Sequence, residues 1–149
     1  PPLYSSAASD VYKRQVANWT VAYTKLHNFH WYVKGPNFFS LHTKFEELYD
    51  EASQYVDDLA ERILAIGGNP IGTLTESLDK SIVKEAGKNY AAEQMVEELS
   101  HDFTNISKQL EHAIEVAGNA GDDVSEDMFI GMQTSVDKHN WMLQSYLGK

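Results

Sequence analysis

Residues 26–46 read LHNFHWYVKGPNFFSLHTKFE, from Leu26 to Glu46, and this stretch decides the fold. Gly35-Pro36 separates two helical patterns. Upstream, between Val11 and Lys34, the residues Val16, Trp19, Tyr23, Leu26 or His27, and His30 recur at intervals of three and four, which is one helix face. Proline has no N–H to continue the ladder, so this first helix stops at Gly35-Pro36. Asn37 is placed to cap a second helix. There Leu41, Phe45, Leu48, Ala52, Tyr55 or Val56, Leu59 and Ile63 keep the same period as far as Ile66. That run makes a rod of about 43 Å at about 1.5 Å per residue. Gly67-Gly68 is a C-cap signal and Pro70 confirms the stop.

The only prolines are Pro1, Pro2, Pro36 and Pro70, so nothing breaks a long helix after Ile71. The spacing predicts a short helix from Thr75 to Glu85. A third long helix follows from Tyr90 to Ala117, with Met95, Leu99, Phe103, Ile106, Leu110 and Ile114 inward. Residues 118–121 are a loop. Asp123 and Glu126 are spaced as a capping box for the last helix, which runs to Leu147 with Val124, Met128, Met132, Val136, Met142 or Leu143, and Tyr146 inward. No segment alternates with period two. The expectation is an all-α fold: an antiparallel four-helix bundle with a short helix in one long middle connection. Residues 11–149 form this bundle. Pro1 to Asp10, rich in Pro, Ser and Ala, reads as a disordered tail or a sequence-assembly scar.

A chain of 149 residues suits one domain. With 22 acidic against 12 basic residues its net charge is −10, a surface that attracts cations and repels nucleic acid and membrane phosphates. The absence of Cys excludes disulfides, thiolate metal sites and thiol nucleophiles. No apolar run reaches the length of a membrane span and no secretory signal opens the chain, so a soluble, cytoplasmic protein is expected.

Bundles hold metals with inward His and carboxylates. His30 lies about one turn before the Gly35-Pro36 turn and His42 about one turn after it, so they share one depth in an antiparallel hairpin. Glu46, four residues after His42, shares its face. Asp57 and Glu61 form a second pair on the same helix. From Glu46 to Asp57 is eleven residues, within about 20° of the same side but about 16 Å along the axis. One ion cannot use both groups from one rod, because its bonds are only about 2.0–2.6 Å. Two antiparallel rods about a two-fold axis can solve this, with the axis near Ala52 and Ser53, whose small side chains permit close approach. The expected site is shared: His30, His42 and Glu46 from one subunit, Asp57 and Glu61 from its mate. Imidazole with carboxylate suits iron, zinc or manganese, and open positions for an oxidant favour redox-active Fe(II). A single-chain di-iron centre needs two Glu-x-x-His motifs, and only Glu98 to His101 fits.

The stretch from Leu26 to His42, Phe45-Glu46-Glu47-Leu48-Tyr49, Asp57-Asp58-Leu59-Ala60-Glu61-Arg62-Ile63 and the closing Gly67-Gly68 resembles the Dps family, the DNA-binding proteins from starved cells, or mini-ferritins. The resemblance runs from Gln15 to Gly148. It implies a ferritin-like four-helix bundle with a short helix in the middle connection, assembled into a hollow dodecamer of tetrahedral symmetry. It implies a ferroxidase that oxidises Fe(II), preferably with hydrogen peroxide, stores the ferric product and so protects against oxidative damage. It makes His30, His42, Glu46, Asp57 and Glu61 the iron ligands, with Zn as a substitute ion. Many members carry Asp where this chain has Glu46. DNA-binding members often carry a Lys-rich N-terminal arm, whereas this chain has only Lys13 and Arg14 near its start.

Several readings stay open. His27 is either a neighbour of the metal ligands or a core histidine. Trp31 either intercepts oxidising equivalents or packs. Glu47, Asp50 and Glu51 either nucleate mineral or form a solvated face. Asp122, Asp123, Glu126 and Asp127 either line a cation pore or cap a helix. His101, His112 and His139 are surface or packing residues. Two rival functions remain beside iron storage: a nucleoid-protecting DNA binder, which the charge disfavours, and a non-catalytic scaffold.

Overall fold

The computed structural model describes residues 6–149. Among them are five helices and no strands: α1 (Ser6–Tyr32), α2 (Phe38–Ala65), the short α3 (Leu74–Lys80), α4 (Ala92–Asn119) and α5 (Asp123–Tyr146). This is a ferritin-like bundle. α1 packs along α2 and α4 along α5, while α1 also meets α4 and α3. None of these helices is long and apolar enough to cross a membrane.

The α2 face follows the expected period, with Leu41, Phe45, Leu48, Ala52, Leu59 and Ile63 buried. Its end is built by backbone. The Gly68 N–H donates to the Ile63 carbonyl (2.8 Å) and the Gly67 N–H to that of Leu64 (3.1 Å), a Schellman closure with Gly67 at φ 91°. α4 ends in the same way. Gly121, at φ 73°, donates to the Gly118 carbonyl and Asp122 to that of Ala117.

The structure moves several boundaries. α1 is already helical at Ser6, and Ala8 is fully buried, so the chain packs earlier than Val11. The rest of the Pro1–Asp10 segment lies outside the described residues. Asn37 precedes α2 without capping it, because its Nδ2 donates instead to the Tyr146 hydroxyl at 2.8 Å. The cap of α5 is Asp122 and not Asp123: the Asp122 carboxylate accepts from the Ser125 N–H. Val124, expected inward, is exposed, and Ser125 and Phe129 take the inward positions of the first two turns, while Met132, Val136 and Leu143 are buried as expected.

Polar cross-ties lock the helices in register. Arg62 of α2 donates to Asp122 (2.7 Å) and to Ser125, and the Tyr12 hydroxyl of α1 donates to the same Asp122 carboxylate (2.8 Å). Asp122 is buried. Burial opposes its ionisation, but the bonds from Ser125, Tyr12 and Arg62 outweigh burial and hold its carboxyl below the usual range. It therefore caps α5 and ties three elements, leaving only its exposed neighbours Asp123 and Asp127, with half-buried Glu126, in any acidic pore.

Candidate metal centre

The turn at 33–37 sets His30 and His42 side by side. Their rings stack with centroids 3.6 Å apart and planes 14° from parallel. Each ring is held by the other residue's backbone: His30 Nδ1 lies 2.7 Å from the His42 carbonyl oxygen, and His42 Nδ1 lies 2.8 Å from that of His30. A carbonyl can only accept, so both Nδ1 atoms carry the proton. Both Nε2 atoms then keep a lone pair, the form in which imidazole binds a metal. His30 is buried and His42 half-buried. Phe38 stacks on the far side of His42 at 4.8 Å.

Glu46 approaches this pair. Its Oε1 lies 4.0 Å from His30 Nε2 and accepts from the Tyr49 hydroxyl at 3.3 Å. Desolvation, then the charge of Glu46, pushes the Tyr49 hydroxyl pKa up. The turn thus pairs His30 with His42 as the spacing predicts, with Glu46 Oε1 4.0 Å from the His30 ring.

Asp57 and Glu61 lie exposed further along α2. A hydrogen bond to Asp57, and then the Asp57 charge, raises the Glu61 carboxyl. Their offset from Glu46 is about 16 Å along the helix. Within one chain, no three His, Asp or Glu among the described residues come together to hold a metal ion.

Between the histidine pair and the Asp57–Glu61 pair an open groove is lined by Thr20, Tyr23, Asp50, Ser53, Gln54, Val56, Asp57 and Ala60. Ser53 lies on it. Ala52 does not: it is fully buried in the chain's own core, because the inward period of α2 claims it. Of the two small residues expected at the axis, only Ser53 is therefore on this face.

Other candidates resolve into packing. Glu98 and Asp102 of α4 both grip the fully buried Lys25 of α1, at 3.1 and 2.7 Å, while His101 Nε2 meets Asn105, so Glu98 and His101 do not form a metal pair. Nothing in the local pattern marks Lys25, which sits on a helix turn that reads as ordinary. Glu51 leaves the acidic strip and turns inward to Tyr55, Ser135 and His139, whose Nε2 is 2.7 Å away. Burial works against its ionisation, yet the three donors win and hold its carboxyl at about 2. His139 is buried between Glu51 and Lys44, a packing role. Asp58 only accepts from Gln54 at the surface. Trp31 is 67% exposed and touches His27, so it does not pack into the chain's own core. His27 is half-buried and stacks on Tyr49 at 3.7 Å, beside the ligand cluster and outside the core.

Residues 12–149 match the ferritin-like domain family. The chain is 55% identical to general stress protein 20U of Bacillus subtilis over 135 residues, 91% of this chain and 93% of the relative. It is 48% identical to DNA protection during starvation protein 2 of Bacillus anthracis over 140 residues, covering 94% and 96%. Among solved structures, the crystal structure of Dps from Staphylococcus aureus superposes with a TM-score of 0.93 at 84% identity, covering 94% of each chain.

Proposed function

This chain belongs to the Dps family of ferritin-like proteins, and from that premise we propose that it is a ferroxidase and iron store working at sites shared between two subunits. The substrate Fe(II) binds His30, His42 and Glu46 of one subunit with the partner subunit's Asp57 and Glu61. Zinc, with the same taste for imidazole and carboxylate, competes for the site. The observation that supports the reading is the reciprocal tie between His30 and His42, which spends both Nδ1 atoms on backbone carbonyls and leaves both Nε2 atoms for a ligand, that of His30 4.0 Å from Glu46. A core histidine would spend its second nitrogen on a partner.

Hydrogen peroxide is the preferred oxidant. Two Fe(II) supply the two electrons that reduce one peroxide, and its O–O bond breaks to give water. The ferric ions hydrolyse and release protons, and the product is held in a hollow dodecamer. Removing Fe(II) and peroxide together suppresses hydroxyl-radical chemistry, so the outcome is oxidative protection. The cytoplasm, which keeps iron reduced, is the proposed setting.

The test is anaerobic Fe(II) loading followed by a peroxide pulse, with iron per shell counted afterwards. Twelve chains of 16.8 kDa elute near 200 kDa with about −120 charges. Elution as a monomer or lone dimer defeats the storage reading.

A relative bears the name DNA protection during starvation protein 2, which brings the nucleoid-binding alternative into view. A net charge of −10 per chain speaks for protection by chemistry over direct phosphate binding. Strong retardation of DNA at low salt without divalent ions overturns that preference.

A further inference from the structure

Glu46 is the least restrained of the proposed ligands. Its side chain is 54% exposed, and it has three rotatable bonds to order before it can bind. Among the described residues, one side chain hydrogen-bonds to it. The Tyr49 hydroxyl, one turn later on α2, donates to Glu46 Oε1, the oxygen nearest His30 Nε2. Tyr49 is itself clamped from α1. The His27 ring stacks on it at 3.7 Å and 19°, the His30 ring meets it edge-on at 5.2 Å and 87°, and Tyr23 closes the far edge at 6.1 Å. His27 in turn is fixed by its Nδ1 donating to the Tyr23 carbonyl at 3.0 Å. The chain of contacts runs from the α1 backbone, through His27 and Tyr49, to the carboxylate oxygen that faces the imidazole pair.

We infer that Tyr49 is a positioning residue of the shared site: its hydroxyl, aimed by the His27 stack, tethers the Glu46 carboxylate toward the His30–His42 pair and so raises the affinity for the incoming divalent cation. This rests on the ferroxidase reading above. At 3.3 Å the bond is long for O–H···O, and cation binding is expected to shorten it. The tether matters because α2 otherwise leaves Glu46 free to sweep solvent, while His30 and His42 are already locked.

Tyr49→Phe keeps the ring and its stack and removes only the hydroxyl. Anaerobic Zn(II) titration calorimetry on the assembled protein is expected to show the Glu46-dependent sites weakened by roughly three- to tenfold, the worth of one such hydrogen bond. Thermal stability stays unchanged. In a Glu46→Ala background Tyr49→Phe has no further effect, and in Glu46→Asp the shorter arm no longer reaches the hydroxyl, so the effect again vanishes. A merely structural role for Tyr49 predicts the same loss in every background. Parental affinity in Tyr49→Phe, with binding still lost on Glu46→Ala, overturns the tether and leaves the shared site standing. Zn(II) binding that ignores Glu46→Ala and His42→Ala overturns both.

Discussion

Lys25 of α1 puts its ammonium 2.7 Å from the Asp102 carboxylate of α4, with no exposed side-chain surface on the lysine and 8% on the aspartate. Burial raises the Asp102 carboxyl even against the pull of Lys25, a sign that desolvation is severe here. Asp102→Ala strands the ammonium with only the partly exposed Glu98, and the expected cost is roughly 3–5 kcal/mol in urea unfolding. Replacing both partners, Lys25→Met with Asp102→Leu, costs much less, because no lone charge remains inside. Equal losses from the single and double variants would contradict this account.

Glu51 gives the fold an acid-sensitive latch. Its carboxyl is held at about 2 against an ordinary 4.5, and its side chain is 26% exposed. A depressed carboxyl contributes stability that is complete above the unfolded value and fades as pH falls from about 4.5 toward 2. The linkage amounts to roughly 3 kcal/mol. Asp122, also depressed, acts in the same direction. The stability gap between the parent protein and Glu51→Gln is therefore expected to be wide at pH 7 and to narrow steadily below pH 4.5. Denaturant melts across that range check it, and a gap independent of pH would refute the latch.

Hydrophobic spacing and Gly-Pro punctuation carried the helices, because the apolar stripe of α2 and the Gly67 closure are local properties of the chain. The pairing of His30 with His42 is equally legible, since one tight turn fixes the depth of both. What escaped were long-range polar choices. Lys25 and Glu51 look like surface charges, and only the arrival of α4 and α5 shows that they are buried. Asp122 took the cap that Asp123 and Glu126 advertise, because Arg62 and Tyr12, 60 and 110 residues away in sequence, converge on it. Ala52 fits a core and a crossing point equally well by size, and the inward stripe of α2 to which it belongs decides for the core.

The Schellman closure at the end of α2 depends on Gly67 at φ 91°. A Cβ there meets nothing within 4 Å, so the cost of Gly67→Ala is conformational and not steric crowding by neighbours. A left-handed residue with a Cβ costs about 1–2 kcal/mol. The variant is expected to lower the unfolding free energy by that amount, seen as a lower denaturant midpoint at an unchanged m-value, and Gly67→Asn, better tolerated in this conformation, to lose less.

Reciprocity makes the sharpest prediction about the site. His42→Ala and Asp57→Ala should each abolish fast Fe(II) oxidation, since each breaks every shared site. In a mixed dimer the outcome differs. The chain that keeps His42 meets the partner subunit's intact Asp57, while both defects fall together in the other site. Random pairing of equal amounts makes about half the dimers mixed, each with one whole site of two, so about a quarter of parental activity returns. Co-refolding the two inactive variants and following the peroxide-driven ferric absorbance measures this directly. If each subunit held its own complete site, every chain in the mixture would stay broken and no activity would return.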